Sequence, residues 1–198
     1  MTTPLPSIEA ILMRMARCKH RSLMDMNTAY EQMRIIPEHV HRSTMATPDG
    51  NMDSEVMQIG DCNTPSSWQV LMNHIFSPYI GIFMDVYLDD IVIYSNSIED
   101  HIKHIRMVLQ TLHQSRLYLS CHKVHLFTKE LRILGRIIND QGIKMEPSKV
   151  DKVINWKVPT TRDLLRGFLG SVGYLADDIA SIQIPMGILH GLTSIHLE

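Results

Sequence analysis

The feature that most constrains this chain is a pair of adjacent carboxylates between two short hydrophobic runs. Asp89 and Asp90 separate residues 82–88 from residues 91–94, which are rich in Val, Ile and aromatic side chains. Such runs predict two β-strands, and the acidic pair predicts the tight turn of a hairpin. An ordinary hairpin favours Asn-Gly or Asp-Gly at the turn. Because two aspartates bring like charges close together, which is costly without a cation, the sequence predicts a divalent-metal site at the hairpin tip.

Composition bounds the class of protein without identifying its function. The 198 residues are enough for one domain or two small lobes, and 44% hydrophobic and 20% charged residues are ordinary for a globular protein. Because the net charge is −2, any nucleic-acid binding must come from local patches. Three widely spaced cysteines without a C-x-x-C pair argue against a disulfide framework and predict an intracellular location, in the cytoplasm or nucleus. No apolar run approaches ~20 residues, so we expect no membrane partner.

Hydrophobic periodicity and turn signals predict a mixed α and β chain. Helices are predicted after Ser7, from Asn63 to Ile75, after Ser97, from Lys149 to Trp156 and from Asp163 to Tyr174. Further strands are predicted at residues 22–26, 32–35, 42–47 and 53–58, with a late hairpin over residues 133–143. The acidic pair Asp177-Asp178 is interpreted as a polar helix end. This order predicts an α+β fold, an antiparallel sheet backed by helices and followed by a smaller helix-rich lobe.

The acidic hairpin needs a third carboxylate before it can hold two metal ions. Asp25 is the natural candidate, because it ends the apolar, strand-like stretch Leu23-Met24-Asp25. The alternative interpretation is that Asp25 is only a turn or cap residue before Asn27. The residues by themselves leave both interpretations open.

A local charge asymmetry indicates nucleic-acid contact independently of the carboxylates. Between His101 and Arg136 there are seven Lys or Arg residues, five histidines and a single acidic residue, Glu130. Such a patch can attract a phosphate backbone, although a solvated helix face is an equally good interpretation of the charges alone. The candidate contacts are Lys103, Arg106, Arg116, Lys123, Lys129 and Arg132.

Three segments resemble the catalytic motifs of reverse transcriptases from gypsy-type LTR retrotransposons. Residues 25–35 resemble the first motif, residues 58–72 the second, and Tyr87-Leu88-Asp89-Asp90 the third. The resemblance continues through residues 117–119, 134–135 and 168–170, and it spans residues 4–192 of the chain. A lone Y-x-D-D is weakly specific, whereas three motifs in this order with this tail identify the family strongly.

The resemblance implies a fold and a set of roles. It implies a reverse-transcriptase-like palm with a remnant of the fingers over residues 1–119, and a thumb with the start of the connection over residues 120–198. Asp25, Asp89 and Asp90 would bind two Mg²⁺ ions, with Mn²⁺ as a substitute, for nucleotidyl transfer. Tyr30 would lie under the sugar of the incoming nucleotide and disfavour a 2′-hydroxyl. The other implied substrate-binding residues are Gly60, Asn63, Pro65, Gln69 and Tyr87, and for Asn63 a helix cap is the open alternative.

The same resemblance implies partners and reveals departures from the family pattern. The partners are an RNA or DNA template with its primer, a dNTP, and the fingers, RNase H and integrase parts of a polyprotein. Because the basic residues of the fingers have no counterpart here, we expect weak or absent primer extension by this chain alone. Trp68 also stands where the family usually has Phe, and Thr64 where it has Ala. The competing hypotheses are a catalytically silent, co-opted or relic protein that binds nucleic acid, and an interaction module that has lost both roles.

Overall fold

The computed structural model describes residues 5–176, 179 and 181–194, so the Asp177-Asp178 pair lies outside the described residues. In chain order the helices and strands are α1 Ile8–Ala16, β1 His20–Asp25, β2 Met45–Thr47, β3 Gly50–Met52, α2 Thr64–Ile75, β4 Met84–Tyr87, β5 Asp90–Ser95, α3 Ile98–Gln114, β6 His125–Thr128, β7 Leu131–Ile133, β8 Arg136–Asn139, β9 Gly142–Met145, α4 Pro147–Ile154, α5 Arg162–Gly173 and α6 Gln183–Ser194. The chain divides into two compact units, residues 1–143 and residues 144–198.

The first unit is built on a four-stranded antiparallel sheet with the order β4-β5-β1-β6. β4 and β5 form the predicted hairpin, in which Tyr87 is opposite Asp90 and only Leu88 and Asp89 make the loop. β1 runs antiparallel to β5 over its whole length, from the pair His20–Ser95 to the pair Asp25–Asp90. The last residue of β1 therefore lies beside the tip of the hairpin.

Hydrophobic clusters cover both faces of the central strands. Met24 of β1 and Ile93 of β5 pack with α2 and α3 on one face. Leu23 and Val92, their neighbours in sequence, pack with α1 on the other face. This alternation is the two-residue period of a strand, and burial on both faces explains why these strands are continuous apolar runs rather than alternating ones.

A buried ion pair fastens α1 to the sheet. Asp85 of β4 is only 2% exposed, and it accepts hydrogen bonds from Arg14 Nε at 2.8 Å and Arg14 Nη2 at 2.9 Å. The hydroxyl of Tyr94 donates to the same carboxylate at 3.0 Å. Burial, followed by the neighbouring Asp85 charge, raises the pKa of Tyr94, so the hydroxyl keeps the proton that it donates.

A second polar network joins α3 to β1 and β5. His101 is fully buried, and its Nε2 and Nδ1 atoms lie 2.8 Å from Ser22 Oγ and 2.9 Å from Ser95 Oγ. Ser95 Oγ also lies 2.7 Å from His104 Nδ1. Burial lowers the pKa of His101 to about 4, so its imidazole is neutral at pH 7 and bonds one serine as donor and the other as acceptor.

The segment between β1 and α2 differs from the sequence-based prediction. The strand predicted at residues 32–35 is wrong, because Ala29–Gln32 is a 3₁₀ helix and Arg34 forms only an isolated bridge with Val56. The Gln32 side chain accepts from the Tyr118 N–H and donates to the Tyr118 carbonyl, and these distant contacts favour the turn over a strand. The turn predicted around residues 48–50 is confirmed, but the hairpin is short, because a 3₁₀ helix at Pro37–Ser43 precedes it. The strand predicted at residues 53–58 is wrong, because β3 ends at Met52 and only Val56 of that segment forms an isolated bridge.

Past α3, the late hairpin is larger than predicted. β7, β8 and β9 form a three-stranded sheet. β6 pairs with β1, so residues 125–128 belong to the first unit together with the rest of residues 120–143. The assignment of residues 1–119 to a palm and of residues 120–198 to a thumb stays a prediction.

Three helices, α4, α5 and α6, make up most of the second unit. α4 begins with Pro147 in its first turn, and Thr161 caps α5 by accepting from the Leu164 N–H. The rings of Trp156 and Phe168 meet edge to face with centroids 5.9 Å apart. Among the described residues, no helix has both the length and the apolar character needed to cross a membrane.

The ion pair predicts a large loss of stability when Arg14 is replaced. Arg14→Met leaves the buried Asp85 carboxylate without its cation, and we expect the free energy of unfolding to fall by roughly 3 kcal/mol. Urea denaturation followed by circular dichroism at pH 7 measures it. Arg17→Met, at an exposed position just after the same helix, is the matched control and changes stability by less than about 0.5 kcal/mol. Equal effects of the two substitutions would contradict a stabilising role for the pair.

Candidate active site

The strand register makes three aspartates backbone neighbours at the tip of the β4–β5 hairpin. Asp25, the last residue of β1, is the strand partner of Asp90. The N–H of Met26 donates to the Asp89 carbonyl at 3.0 Å, which extends the pairing one step past the end of the strand. Positions more than 60 residues apart in sequence thus become neighbours through one strand register.

The carboxylates repel one another through a half-buried environment. Burial, then the charges of Asp89 and Asp25, raise the pKa of Asp90 to about 6, while Lys123 lowers it. A shift in this direction means that burial and the two neighbouring charges disfavour the ionised form of Asp90. A cation bound beside these groups would relieve the repulsion.

One cation of the chain already contacts the cluster. Lys123 Nζ lies 3.2 Å from both oxygens of Asp25, whose side chain is 15% exposed. Lys123 ends a short 3₁₀ helix, Cys121–Lys123, that is anchored because the Ser120 N–H donates to the Asp25 carbonyl at 2.9 Å. Lys123, predicted to contact nucleic acid, therefore contacts Asp25, which is predicted to bind metal.

The residues fit a hard divalent cation by donor type and by charge. Carboxylate oxygens are the ligands that Mg²⁺ and Mn²⁺ prefer, and the ammonium of Lys123 shows that the Asp25 carboxylate attracts positive charge. In the described part of the chain no three His, Cys, Asp or Glu side chains are already gathered as a metal cluster. Asp25, engaged by Lys123, would exchange this ammonium for a metal ion.

Two side chains of α2 hold the backbone of the hairpin loop. Gln69 Oε1 accepts from the Leu88 N–H at 2.8 Å, and Gln69 Nε2 donates to the Val86 carbonyl at 3.0 Å. Trp68 Nε1 donates to the Leu88 carbonyl at 2.9 Å. Because phenylalanine has no such donor, the Trp68 departure from the family pattern adds a hydrogen bond to the hairpin. Gln69, predicted to contact substrate, is fully buried and bonds the hairpin backbone, and its substrate-binding role stays a prediction.

These bonds hold a conformation that the loop would otherwise avoid. Leu88 has a φ of +54°, in the left-handed region that side chains with a Cβ rarely adopt. Such a residue costs on the order of 1 kcal/mol and persists when its surroundings fix it. No sequence signal marks Leu88 as left-handed, since Gly or Asn is the usual choice there. In the sequence, the Trp at position 68 in place of the usual Phe was the only sign of the hydrogen bond to the Leu88 carbonyl.

Tyr30 lies close to the carboxylates. It is half-buried in the 3₁₀ helix after β1, and its ring meets that of Trp68 edge to face with centroids 6.3 Å apart. Burial, and then the charge of Asp89, raise the pKa of the Tyr30 hydroxyl. Tyr30, Trp68 and the hairpin therefore form one contiguous group.

The remaining predicted substrate contacts lie near the start of α2 or on the hairpin. Gly60 is exposed, with a φ of +109° and no atom within 4 Å of the point where a Cβ would lie, so its backbone conformation, not a close contact, requires glycine. Asn63 occupies the N-cap position of α2, but its side chain makes no capping bond. Pro65 lies in the first turn of that helix, and Tyr87 packs against the hydrophobic cluster between α1 and the sheet. The substrate-binding roles of these residues stay predictions.

The six predicted nucleic-acid contacts are distributed over several elements. Lys103 and Arg106 are exposed on α3, and Arg116 follows its end. Lys129 and Arg132 flank the turn between β6 and β7, where Arg132 lies 3.9 Å from Glu130. Lys123 alone among the six has a hydrogen bond to the carboxylate cluster in the described structure.

Comparison with known proteins gives one consistent result. The profile of the family described as "Reverse transcriptase (RNA-dependent DNA polymerase)" matches residues 1–138. The retrovirus-related Pol polyprotein from transposon 297 of Drosophila melanogaster is 32% identical over 186 residues, which is 92% of this chain and 18% of that protein. The transposon Tf2-3 polyprotein of Schizosaccharomyces pombe is 32% identical over 172 residues, 87% of this chain and 13% of its own length. The chain thus spans less than a fifth of these relatives.

The fold has a solved counterpart. The foamy viral protease-reverse transcriptase, determined in complex with an RNA/DNA hybrid, has a TM-score of 0.86 to this structure at 20% identity. The match covers 100% of this chain and 27% of the viral protein. This likeness confirms the predicted α+β, reverse-transcriptase-like fold.

The electrostatics of the cluster predict a measurable titration. In metal-free protein, ¹³C NMR of the Asp90 carboxyl should give a pKa near 6, because burial and the Asp89 charge disfavour ionisation. Asp89→Asn should lower this pKa, whereas Asp49→Asn, in the β2–β3 turn, should leave it unchanged. Because the pKa of Asp90 is higher in the native state than in the unfolded state, the free energy of unfolding should fall as pH rises from about 4 to about 6. A pKa of Asp90 insensitive to Asp89→Asn would show that the charges are not coupled.

The support of the hairpin predicts a local effect of removing one donor. Trp68→Phe keeps an aromatic ring but leaves the Leu88 carbonyl without the indole N–H, so amide exchange at Leu88 and Asp89 should rise about tenfold. Hydrogen exchange measured by NMR reports this opening residue by residue. Trp156→Phe, which makes the same substitution in the second unit, serves as the control and should leave exchange at the hairpin unchanged. Slow exchange at Leu88 in both variants would show that the Trp68 hydrogen bond does not stabilise the hairpin loop.

Proposed function

The chain belongs to the reverse transcriptase (RNA-dependent DNA polymerase) family, and on this basis we propose that residues 1–143 contain the nucleotidyl-transfer centre of an RNA-directed DNA polymerase. The observation that carries the proposal is the strand register that sets Asp25 opposite Asp90 and beside Asp89. A structural role for three mutually repelling carboxylates is unfavourable, whereas a role in binding metal ions accounts for all three.

The carboxylates of Asp25, Asp89 and Asp90 would hold two Mg²⁺ ions, or Mn²⁺ in their place. When bound, the metal pair supplies Lewis-acid stabilisation to the attacking and leaving oxygens of a phosphoryl transfer. The contribution of the chain is geometric, because Gln69 and Trp68 fix the hairpin backbone before any ligand arrives. Lys123, released from Asp25, would retain a positive charge at the edge of the same site.

The substrates follow from the family and from the surroundings of the carboxylates. We assign the incoming dNTP to the space beside Tyr30, whose half-buried ring next to Asp89 is suited to restrict the sugar. A template and primer of RNA or DNA are the corresponding macromolecular partners, and the foamy viral relative in fold was solved with an RNA/DNA hybrid. Gly60 and Asn63, exposed just before α2, would contact either ligand.

The cellular setting is part of the same proposal. Because the chain matches less than a fifth of each transposon polyprotein, fingers, RNase H and integrase parts are natural partners. An intracellular location, in the cytoplasm or nucleus, is supported by three free thiols, of which Cys62 and Cys121 are exposed and Cys18 is partly buried.

Single-nucleotide incorporation tests the function. The chain is incubated with an RNA template, a DNA primer and the next dNTP, with Mg²⁺ or Mn²⁺, and product is followed over long reaction times. We expect slow, metal-dependent extension that Asp89→Asn reduces to the no-enzyme background, because a carboxamide holds a divalent metal poorly. Asp49→Asn, with the same loss of one carboxylate in the β2–β3 turn, should extend like the unaltered chain.

Metal binding provides a readout that does not depend on turnover. Electron paramagnetic resonance of Mn²⁺ should show ions bound by the unaltered chain and by Asp49→Asn, with weaker binding by Asp89→Asn. Extension that persists in Asp89→Asn would overturn the assignment of this residue. Binding of the hybrid without any metal-dependent extension would favour a catalytically silent nucleic-acid-binding protein instead.

A further inference from the structure

A separate cleft lies at the end of β1 opposite to Asp25. Its volume is about 640 Å³, within the range of roughly 300–1,000 Å³ that small-molecule sites occupy. The lining residues on which the argument depends are Arg17, Lys19, Arg21, Ile98, Phe127 and Lys129. The six residues of β1 separate His20 from Asp25 by about 17 Å, at a strand rise of about 3.3 Å per residue. The cleft is therefore distinct from the carboxylate cluster.

The lining of this cleft is strongly basic. Arg21 is 1% exposed, and it is neutralised by Asp140, 3.2 Å from its Nη1 atom, while its Nε donates to the Met15 carbonyl. Arg17, Lys19 and Lys129 are exposed and have no ion pair within the described part of the chain. Three uncompensated cations around one concave surface attract an anion.

Of the acidic residues near the cleft, Asp140 lines it and pairs with Arg21, whereas Glu99, Asp100 and Glu130 are outside its lining. Asp100, close to Ile98, accepts a hydrogen bond from the Ser97 hydroxyl, and its own N–H donates back to that oxygen. Glu130, next to Lys129, is directed to Arg132, 3.9 Å away. Neither carboxylate is among the residues that line the cleft.

One wall of the cleft is apolar and includes a strained aromatic residue. Phe127 is 40% exposed and Ile98 is 48% exposed. The pairing of β6 with β1 shifts register between Arg21 and Leu23, and Phe127 has a φ of +54° at this irregularity. Bulges commonly redirect a side chain, and left-handed residues with a Cβ concentrate at functional sites.

The strained position of Phe127 is held by specific contacts. Its N–H donates to Ser22 Oγ at 3.1 Å, and its ring meets His101 edge to face with centroids 5.0 Å apart. The buried His101 network therefore fixes an aromatic ring beside three free cations. An aromatic ring for a base together with cations for a phosphate is the combination that binds single nucleotide units.

We propose that this cleft is a metal-independent binding site for a phosphate-bearing nucleotide unit. Arg17, Lys19 and Lys129 bind the phosphate, and Phe127 contacts the base. The unit comes either from single-stranded nucleic acid or from a free nucleoside phosphate, which present the same chemistry to the cleft. The site does not depend on the polymerising centre, since it lies at the other end of β1 and uses none of the three carboxylates.

The test compares two probes with EDTA present, so that no probe is held through a metal ion at Asp25, Asp89 and Asp90. Fluorescein-labelled oligodeoxyadenylate is followed by fluorescence anisotropy at several salt concentrations, and AMP is followed by ¹H–¹⁵N NMR shifts. Arg17→Gln/Lys19→Gln should weaken oligonucleotide binding about tenfold. It should also reduce the slope of log K against log salt by about 1.4, because each single-strand phosphate contact contributes about 0.7.

The matched control removes one Arg and one Lys elsewhere. Arg42→Gln/Lys157→Gln alters two exposed residues outside the cleft and should leave both the affinity and the salt slope unchanged. Phe127→Leu should weaken AMP more than inorganic phosphate, and thermal unfolding verifies that this variant is folded. Asp89→Asn should bind both probes like the unaltered chain, which separates this proposal from the polymerase function.

The outcomes decide both the site and the source of the ligand. NMR shifts at residues 17–19 and 127–129 with the oligonucleotide alone assign the site to single-stranded nucleic acid, and shifts with AMP alone assign it to a free nucleotide. Shifts with both support the proposal for either source. It is overturned by an absence of shifts there, by equal losses in the control variant, or by inorganic phosphate binding as tightly as AMP.

Discussion

The antiparallel register of β1 against β5 is the constraint on which the rest of the structure depends. A slip of one residue would move Asp25 away from Asp90 and turn every side chain of β1 to the opposite face of the sheet. Met24 and Leu23 would then exchange hydrophobic clusters. The buried His101 resists the same slip, because it needs Ser22 of β1 and Ser95 of β5 at fixed positions on one face. Apolar burial and a polar network thus select a single register, and the carboxylate cluster is its consequence.

The cluster itself opposes folding, and the neighbouring elements compensate for it. Half-buried like charges and a left-handed Leu88 are both unfavourable. α2 compensates through the two bonds from Gln69 and the one from Trp68, and the 3₁₀ helix before β6 compensates through Lys123. The buried side chains of α2 bond the backbone of the hairpin, whereas Lys123 bonds a carboxylate directly. The backbone conformation and the charges are therefore stabilised by different residues.

Local patterns in the sequence predicted the parts of this arrangement that depend on neighbouring residues. The hairpin, the Ser7 and Ser97 caps and the start of α2 follow from turn and cap chemistry, and all appear in the structure. Contacts between distant residues were not predictable in the same way. Gln32 ends a 3₁₀ helix and bonds Tyr118 where the sequence predicted the start of a strand, and the approach of Lys123 to Asp25 spans 98 positions. The motifs identified which carboxylates belong together, whereas the side chains that hold them required the fold.

Burial on both faces of β1 also explains where the polar chemistry of this unit is located. Interior positions of the strand face hydrophobic clusters or a fully bonded histidine, so an unpaired charge there would be costly. Charges can lie only where the strand ends, and the two ends of β1 carry opposite sign. Asp25 ends the strand among acids, while Arg17, Lys19 and Arg21 surround its beginning. Because the acidic end attracts cations and the basic end attracts anions, a single buried strand separates two binding surfaces of opposite chemistry by its own length.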